Sequence, residues 1–333
     1  MTIKFLELPH LVVREVFDNF DIIDVFEFSQ CSKEAAKMQQ SAYMKSYKIQ
    51  LDFSKSFIMV DGKLEIRIVD GDLDEGESFR RFEDCEQKVE FHPTNKNRMV
   101  TFWSEKYVGF RKILMHLFKM FYCNTESIRS GSYVPGDEYL EIVKFVLQKQ
   151  TEIEALDLRA LFTGDSAKWI LENLRVTKNL QICINYFPES VKPEPFPFES
   201  VHETIEIQNA SWITVAHLKA MTNCGVLQLH ETSLTKEDVL EFLGIWKSGG
   251  YPKLEYLRLE SRQLPDNFTL PGHVRLSQEW NGIDDPEPTV AVKKIYGDYI
   301  SINGTVGIKT DNGVPAKIRY HSNEHRIEMM VFQ

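Results

Sequence analysis

Five short apolar triplets constrain the fold of this 333-residue chain more than any other feature. They are Leu156-Asp-Leu158, Ile182-Cys-Ile184, Ile205-Glu-Ile207, Leu227-Gln-Leu229 and Leu257-Arg-Leu259, with intervals of 26, 23, 22 and 30 residues between first members. An apolar–polar–apolar order is the period of a half-buried strand, whose successive side chains point to opposite faces. Helical patterns occupy most of the intervals, around 167–174, 215–221 and 236–246. The last is the best marked. Thr235 stands as N-cap, Glu237 and Asp238 lie in the first turn, and Gly249-Gly250 follow the end.

A strand-plus-helix unit recurring in this way resembles a leucine-rich repeat. Each unit buries its strand and helix against its neighbours, and the array makes a curved parallel sheet. The segment FPESVKPEPFPF (187–198) holds too many prolines for a helix. The expected fold class is therefore α+β with repeats: an irregular leucine-rich-repeat-like β/α solenoid, with a non-repetitive α/β domain as the alternative. After residue 260, PDNFTLPGH and DDPEP punctuate a loop-rich passage. The runs YISI, VGIKT, VPAKIRY and RIEMMVF then predict an antiparallel meander of three or four strands, packed against the end of the solenoid.

Upstream, residues 5 to 47 read as short helices. Val12, Val13, Val16, Phe17 and Phe20 recur at helical spacing behind Pro9, and Asp21 or Asp24 can cap a second helix carrying Val25, Phe28 and Cys31. Asp61-Gly62 between the apolar runs 57–60 and 64–69 predicts a hairpin, and RMVTFW (98–103) another strand. Phe110, Ile113, Leu114, Leu117, Phe118 and Phe121 form one helical stripe. A loop, SGSYVPGD (130–137), leads to a helix near 137–149 with Leu140, Val143 and Leu147 inward.

Net charge is −10 with no Lys/Arg run, so neither nucleic acid nor an anionic membrane is an expected partner. Protein partners are the better default. Charges at Glu7, Arg14, Glu15 and Asp18 interrupt the opening apolar segment, which does not read as a secretory signal, and no segment approaches the roughly 20 apolar residues of a membrane span. The five cysteines are scattered without a CxxC pair, as expected of reduced, buried thiols rather than a disulfide or zinc framework.

Chemical motifs are few. HSNEH (321–325) matches H-x-x-E-H, yet lies between two strand patterns, where a hairpin would splay the two His that a metal needs on one helix face. DGDLDEGE (70–77) alternates Asp like a calcium loop, but Glu75 and Arg81 occupy the positions that require Gly and Glu. No phosphate-binding or common hydrolase signature occurs. No cofactor and no metal are expected, and an enzyme built from dispersed His and carboxylates is the least favoured reading.

One resemblance organises the rest. Leu8-Pro9, Val12-Val13, Val16-Phe17, Phe20-Asp21, Asp24-Val25, Phe28-Ser29 and Cys31-Ser32-Lys33 follow, without a gap, the pattern of an F-box, the adaptor-binding motif of ubiquitin-ligase receptors. Leu11 stands where Glu is common, Ile22 where Pro is, and Ala36 where Trp is. Trp212-Ile-Thr214, Ser233-Leu-Thr-Lys-Glu-Asp238, and Trp246 followed by Pro252-Lys-Leu-Glu-Tyr-Leu257 resemble the type-2 F-box-associated domain expanded in nematodes.

The resemblance implies a non-catalytic substrate receptor of a Skp/cullin ubiquitin ligase, cytoplasmic and/or nuclear. Leu8, Pro9, Val12, Val16, Phe17, Val25, Phe28 and Cys31 would meet a Skp-type adaptor, which joins a cullin scaffold, while the C-terminal part holds a target protein. A scaffold or sequestering protein that acts without degradation is the alternative. The expected domains are an F-box (1–48), a hairpin and helical region of unknown role (49–150), a repeat-like part (151–262) and a loop-rich segment with meander (263–333). In each L-x-L triplet the leucines face inward. The outward row is therefore Asp157 and Arg159, Glu206 and Gln208, Gln228 and His230, Arg258 and Glu260, a candidate target-binding face.

Overall fold

The structure, a computed structural model, describes residues 8–42, 45–71, 80–82, 85–87, 89–91, 97–131, 135–159, 164–184, 198–268, 291–295, 298–303 and 305–332. Most of the acidic loop 70–77, of the proline-rich segment 187–198 and of the passage 263–290 lies outside the described residues. The chain packs as two compact units, one of residues 1–134 and 138–150, the other of 135–137 and 151–333.

The first unit opens with three helices, α1 (His10–Asp18), α2 (Ile22–Cys31) and α3 (Lys33–Ala42). Pro9 sits one residue earlier than a first-turn position, as the N-cap of α1, where its carbonyl accepts from the N–H of Val12 at 2.9 Å. Asp21 caps α2, with the Asp24 side chain accepting from its backbone N–H at 3.3 Å. Ser32 does the same work for α3, its Oγ accepting from the Ala35 N–H at 3.0 Å.

The strands follow: β1 (Ser46–Asp52), β2 (Phe57–Val60), β3 (Leu64–Asp70), the short β4 (Arg80–Phe82), β5 (Cys85–Gln87) and β6 (Val89–Phe91), then β7 (Arg98–Trp103). Helix α4 (Lys106–Met120), β8 (Tyr122–Arg129) and α5 (Gly136–Leu147) complete the unit. Its sheet runs β8-β1-β2-β3-β7-β6, with β4 and β5 paired separately. The predicted hairpin forms: Val60 pairs with Leu64 across a turn in which Asp61 and Gly62 take positive φ, 53° and 66°. Asp70, from the acidic segment, caps α4 by accepting from the Lys106 N–H at 2.9 Å.

In α5 the buried stripe is Tyr139, Ile142, Val143 and Val146, while Leu140 and Leu147 are only half-buried. The expected Leu140–Val143–Leu147 face is thus rotated. The Tyr139 ring packs against Phe53, with centroids 5.4 Å apart, and Phe53 stacks on Phe110 of α4 at 4.3 Å. That aromatic cluster decides which of two apolar stripes turns inward.

The second unit alternates β9 (Glu152–Leu158), α6 (Gly164–Asn173), β10 (Arg175–Cys183), β11 (Thr204–Gln208), α7 (Val215–Ala220), β12 (Val226–Thr232), α8 (Lys236–Lys247) and β13 (Tyr256–Ser261). These five strands lie parallel and in chain order. Leu156 pairs with Leu180, and Leu180 in turn with Ile205. The triplet of β10 is therefore Leu180-Gln-Ile182, two residues earlier than Ile182-Cys-Ile184. Thr235 caps α8 as predicted, its Oγ1 accepting from the Asp238 N–H at 3.2 Å while Asp238 accepts from the Thr235 N–H at 2.8 Å.

Five further strands end the chain: β14 (Ala291–Ile295), β15 (Asp298–Ile302), β16 (Val306–Lys309), β17 (Pro315–His321) and β18 (Arg326–Val331). The sheet continues from β13 antiparallel to β18, then β17, then β16 at its edge. The YISI run is not part of this meander. It forms β15, which among the described residues pairs only with β14. Their hairpin packs on the sheet through Ala291, Ile295 and Ile302, which cluster with Val226, Tyr256 and Met330. No described helix is long and apolar enough to cross a membrane.

Candidate functional site

Two surfaces collect the residues singled out above. The first is the N-terminal helix trio. Phe17 and Val25 are 0% exposed, Leu8, Val16 and Phe28 half-buried, and Pro9, Val12 and Cys31 exposed. Phe17 packs edge-on against Phe20 and Phe28, with centroids 5.8 and 5.2 Å away. Burial of such a ring stabilises the trio by about 1.5–3 kcal/mol, so Phe17 and Val25 hold the helices together and present nothing outward. On the inner side, Ser29 Oγ donates to the Phe26 carbonyl at 2.6 Å and lies 3.1 Å from His116 Nε2 of α4.

Beside the charged residues of the helices, the outward side includes an apolar patch. Leu11 is 73% and Val12 44% exposed, beside Pro9. Leu11 was absent from the expected set because it departs from the family pattern. Its sequence signal is an apolar residue off the Val13–Val16–Phe17–Phe20 stripe of a short helix, and such a residue has no core to enter.

The second surface is the sheet face of the second unit opposite α6–α8. Cross-strand registers place Asp157, Gln181, Glu206, Gln228, Arg258 and Glu328 in one row. Cys183 pairs with Gln208 and Glu260 with Arg326 in the row beside it. All eight expected outward residues lie on this face, but Asp157 is buried and only Arg159 is fully exposed. Gln181, Cys183, Glu328 and Arg326 were missed. Gln181 follows from the corrected register of β10 and Cys183 from either register, whereas the others needed the non-local pairing of β18 with β13.

These side chains bind one another along the face. Arg159 Nε donates to Asp157 Oδ1 at 2.9 Å, and its Nη2 to Gln181 Oε1. Gln181 Nε2 donates to Glu206 Oε2 at 3.0 Å, and Gln208 Nε2 to Glu206 Oε1 at 3.2 Å. Arg258 Nε and Nη2 donate to Glu260 Oε1 at 2.9 and 2.6 Å, and His230 Nδ1 lies 3.1 Å from Glu260 Oε2. Burial raises the Glu260 carboxyl, but the Arg258 hydrogen bonds and the His230 and Arg258 charges outweigh it and hold the group below its ordinary value. Glu328 behaves alike: burial raises it, and the hydrogen bonds of His321 (2.7 Å) and Tyr256 (2.9 Å) with the Arg326 charge bring it lower. The Tyr256 hydroxyl is pushed above its usual range, first by burial and then by Glu328.

The two His of HSNEH part company. His321 turns to Glu328, while His325, in left-handed conformation with φ 46°, lies 3.0 Å from the Leu264 carbonyl. Burial pushes the Cys123 and Cys224 thiols up to about 12, as inert packing groups.

Comparison with known proteins draws these surfaces together. Residues 5–42 match the family model of the F-box domain, and residues 198–259 that described as F-box associated. The chain therefore carries an F-box domain followed by an F-box associated domain, the combination its sequence resembles. Among individual proteins it is similar to the "Skn-1 dependent zygotic transcript 15 protein" of Caenorhabditis elegans, 21% identical over 276 residues that cover 78% of this chain and 79% of that one. No solved structure matches.

Proposed function

We propose that this chain is a substrate-recognition subunit of a Skp/cullin/F-box ubiquitin ligase. The observation that carries the reading is the F-box match over a helix trio that exposes the neighbouring apolar side chains Pro9, Leu11 and Val12. Such a patch suits burial in the groove of a Skp-type adaptor, with Leu8, Val16, Phe28 and Cys31 at its margins and Phe17 and Val25 fixing the helices beneath. The adaptor would link to a cullin scaffold in the cytoplasm and/or nucleus. The chain itself performs no chemistry in this reading, and ubiquitin transfer is accelerated by proximity.

The F-box takes residues 1–48, a hairpin and helical region 49–150, the target-holding part 151–262 and the meander region 263–333. Parallel strands in chain order support reading 151–262 as an irregular leucine-rich-repeat-like solenoid. Its polar face, Asp157 and Arg159 through Arg258 and Glu260, offers paired donors and acceptors to a protein target.

Co-purification of the full chain with a Skp-type adaptor tests the proposal. Leu8→Asp/Pro9→Ala and Leu11→Asp/Val12→Asp are expected to abolish a complex that the unaltered chain forms. Absent or unchanged binding overturns the proposal. Target half-life under cullin inhibition then separates degradation, which the inhibitor blocks, from sequestration, which survives it.

A further inference from the structure

A groove of about 760 Å³ lies between α8 and the β16–β17 hairpin, away from the polar sheet face. Leu243 and Trp246 give it an apolar base, and the half-buried Leu240 and Ile308 stand on opposite walls. The backbone N–H of Asp311 donates to the Lys247 carbonyl at 2.8 Å and ties the hairpin to the end of the helix. Its volume falls within the range of sites that take a small ligand or a few side chains of a peptide.

A glycine keeps this groove open. Gly244 lies within α8, where glycine weakens a helix relative to alanine. Neither backbone nor packing requires it: its φ lies outside the left-handed region and no atom lies within 4 Å of where a Cβ would sit. On the other wall only Ile308 of β16 turns its side chain toward the groove, because the neighbouring Gly307 pairs with Lys317 and lies on the opposite face of the sheet. A cost to the helix thus coincides with an unfilled space.

The edge and the charge say what fits there. β16 ends the sheet, so its outer edge has no strand partner among the described residues and is open to an added strand. Lys247 and Lys309 flank the groove, and no described carboxylate pairs with either, in a chain whose net charge is −10. Asp311 also lines the groove, so the rim carries two cations to one carboxylate, and a net cationic rim on an anionic protein favours acidic partners.

We infer that this groove is a target-recognition site for an extended acidic segment of a partner protein. The segment adds to the edge of β16, inserts one bulky apolar side chain between Leu240 and Ile308, and sets its carboxylates against Lys247 and Lys309. The inference rests on the substrate-receptor reading and gives that receptor its class of target.

Fluorescence polarisation on the full chain tests it, with a synthetic peptide set that holds Leu, Phe or Trp between acidic residues. A matched set carries Lys for the acids, and a third is N-methylated along the backbone. The acidic set is expected to bind at micromolar concentration, and the other two about tenfold or more weaker. Gly244→Phe, which fills the groove, and the exposed pair Lys247→Glu/Lys309→Glu should each lose about tenfold for the acidic set, with thermal unfolding showing the variants folded. Should Gly244→Phe not fold, the double charge reversal decides alone. No binding of the acidic set, equal binding of the lysine set, or unchanged binding in the folded variants overturns the inference. Adaptor co-purification on the same proteins keeps the two ideas apart: peptide binding lost with the adaptor retained removes only the groove, and the reverse removes only the ligase reading.

Discussion

Glu328 illustrates what a nearly buried carboxylate demands. Its oxygens accept from Tyr256 and lie beside His321 and Arg326, so desolvation is offset by donors on three sides. Removing it leaves the Tyr256 hydroxyl and Arg326 without that acceptor, and Glu328→Ala is expected to destabilise the chain by about 2 kcal/mol, read from urea unfolding midpoints. The pH dependence follows from the direction of the shift. Glu328 and Glu260 sit below the unfolded carboxylate value of 4.5, so their contribution is fully present above that value and is lost as pH falls through their lower folded values. Unfolding midpoints measured across that acid range should fall with pH, and less steeply in Glu328→Gln. A Glu328→Gln profile parallel to that of the unaltered chain would remove this residue from the account.

At the scale of elements, α8 shows the clearest line from sequence to structure. Thr235, Glu237 and Asp238 announce its start; Thr235 caps the helix as read, and Asp238 completes a capping box that the sequence reading did not include. Thr235→Ala should cost about 1 kcal/mol in thermal or urea unfolding, with the C-terminal end of the helix unaffected. The parallel strands were legible for the same reason, since alternation with period two is visible in one sequence. Register was not. Leu180-Gln-Ile182-Cys-Ile184 alternates over five residues, so the choice between two triplets belongs to the strands on either side, which pair with Leu180. Helix α5 fails similarly: Leu140–Val143–Leu147 and Tyr139–Ile142–Val143–Val146 are both apolar stripes, and Phe53 selects the second. The YISI run was recognisable as a strand, yet its partner β14, carrying Lys293 and Lys294, gave no alternation to find. The candidate faces share this limit. Residue types along β9–β13 were readable, whereas the rows they complete with β18 depend on pairings far apart in the chain.

Across the whole molecule, β18 holds an uncommon position. It follows β17 in sequence, yet it lies between β13 and β17 and is buried along nearly its whole length, Ile327 to Val331. A chain ending after His325 should therefore lose the edge contacts of both neighbours, and is expected to show much lower soluble yield and little hydrogen-exchange protection in β13. Normal solubility of that truncation would mean β13 tolerates an open edge. The placement also sets an order of events in synthesis. While the ribosome is still making the C-terminal strands, β13 is complete but has no neighbour on its far side, and its Leu257 and Leu259 await cover from Met329 and Ile327. The edge of β13 thus stays open until β18 has been made, and a frameshift or stop before Arg326 leaves it open for good.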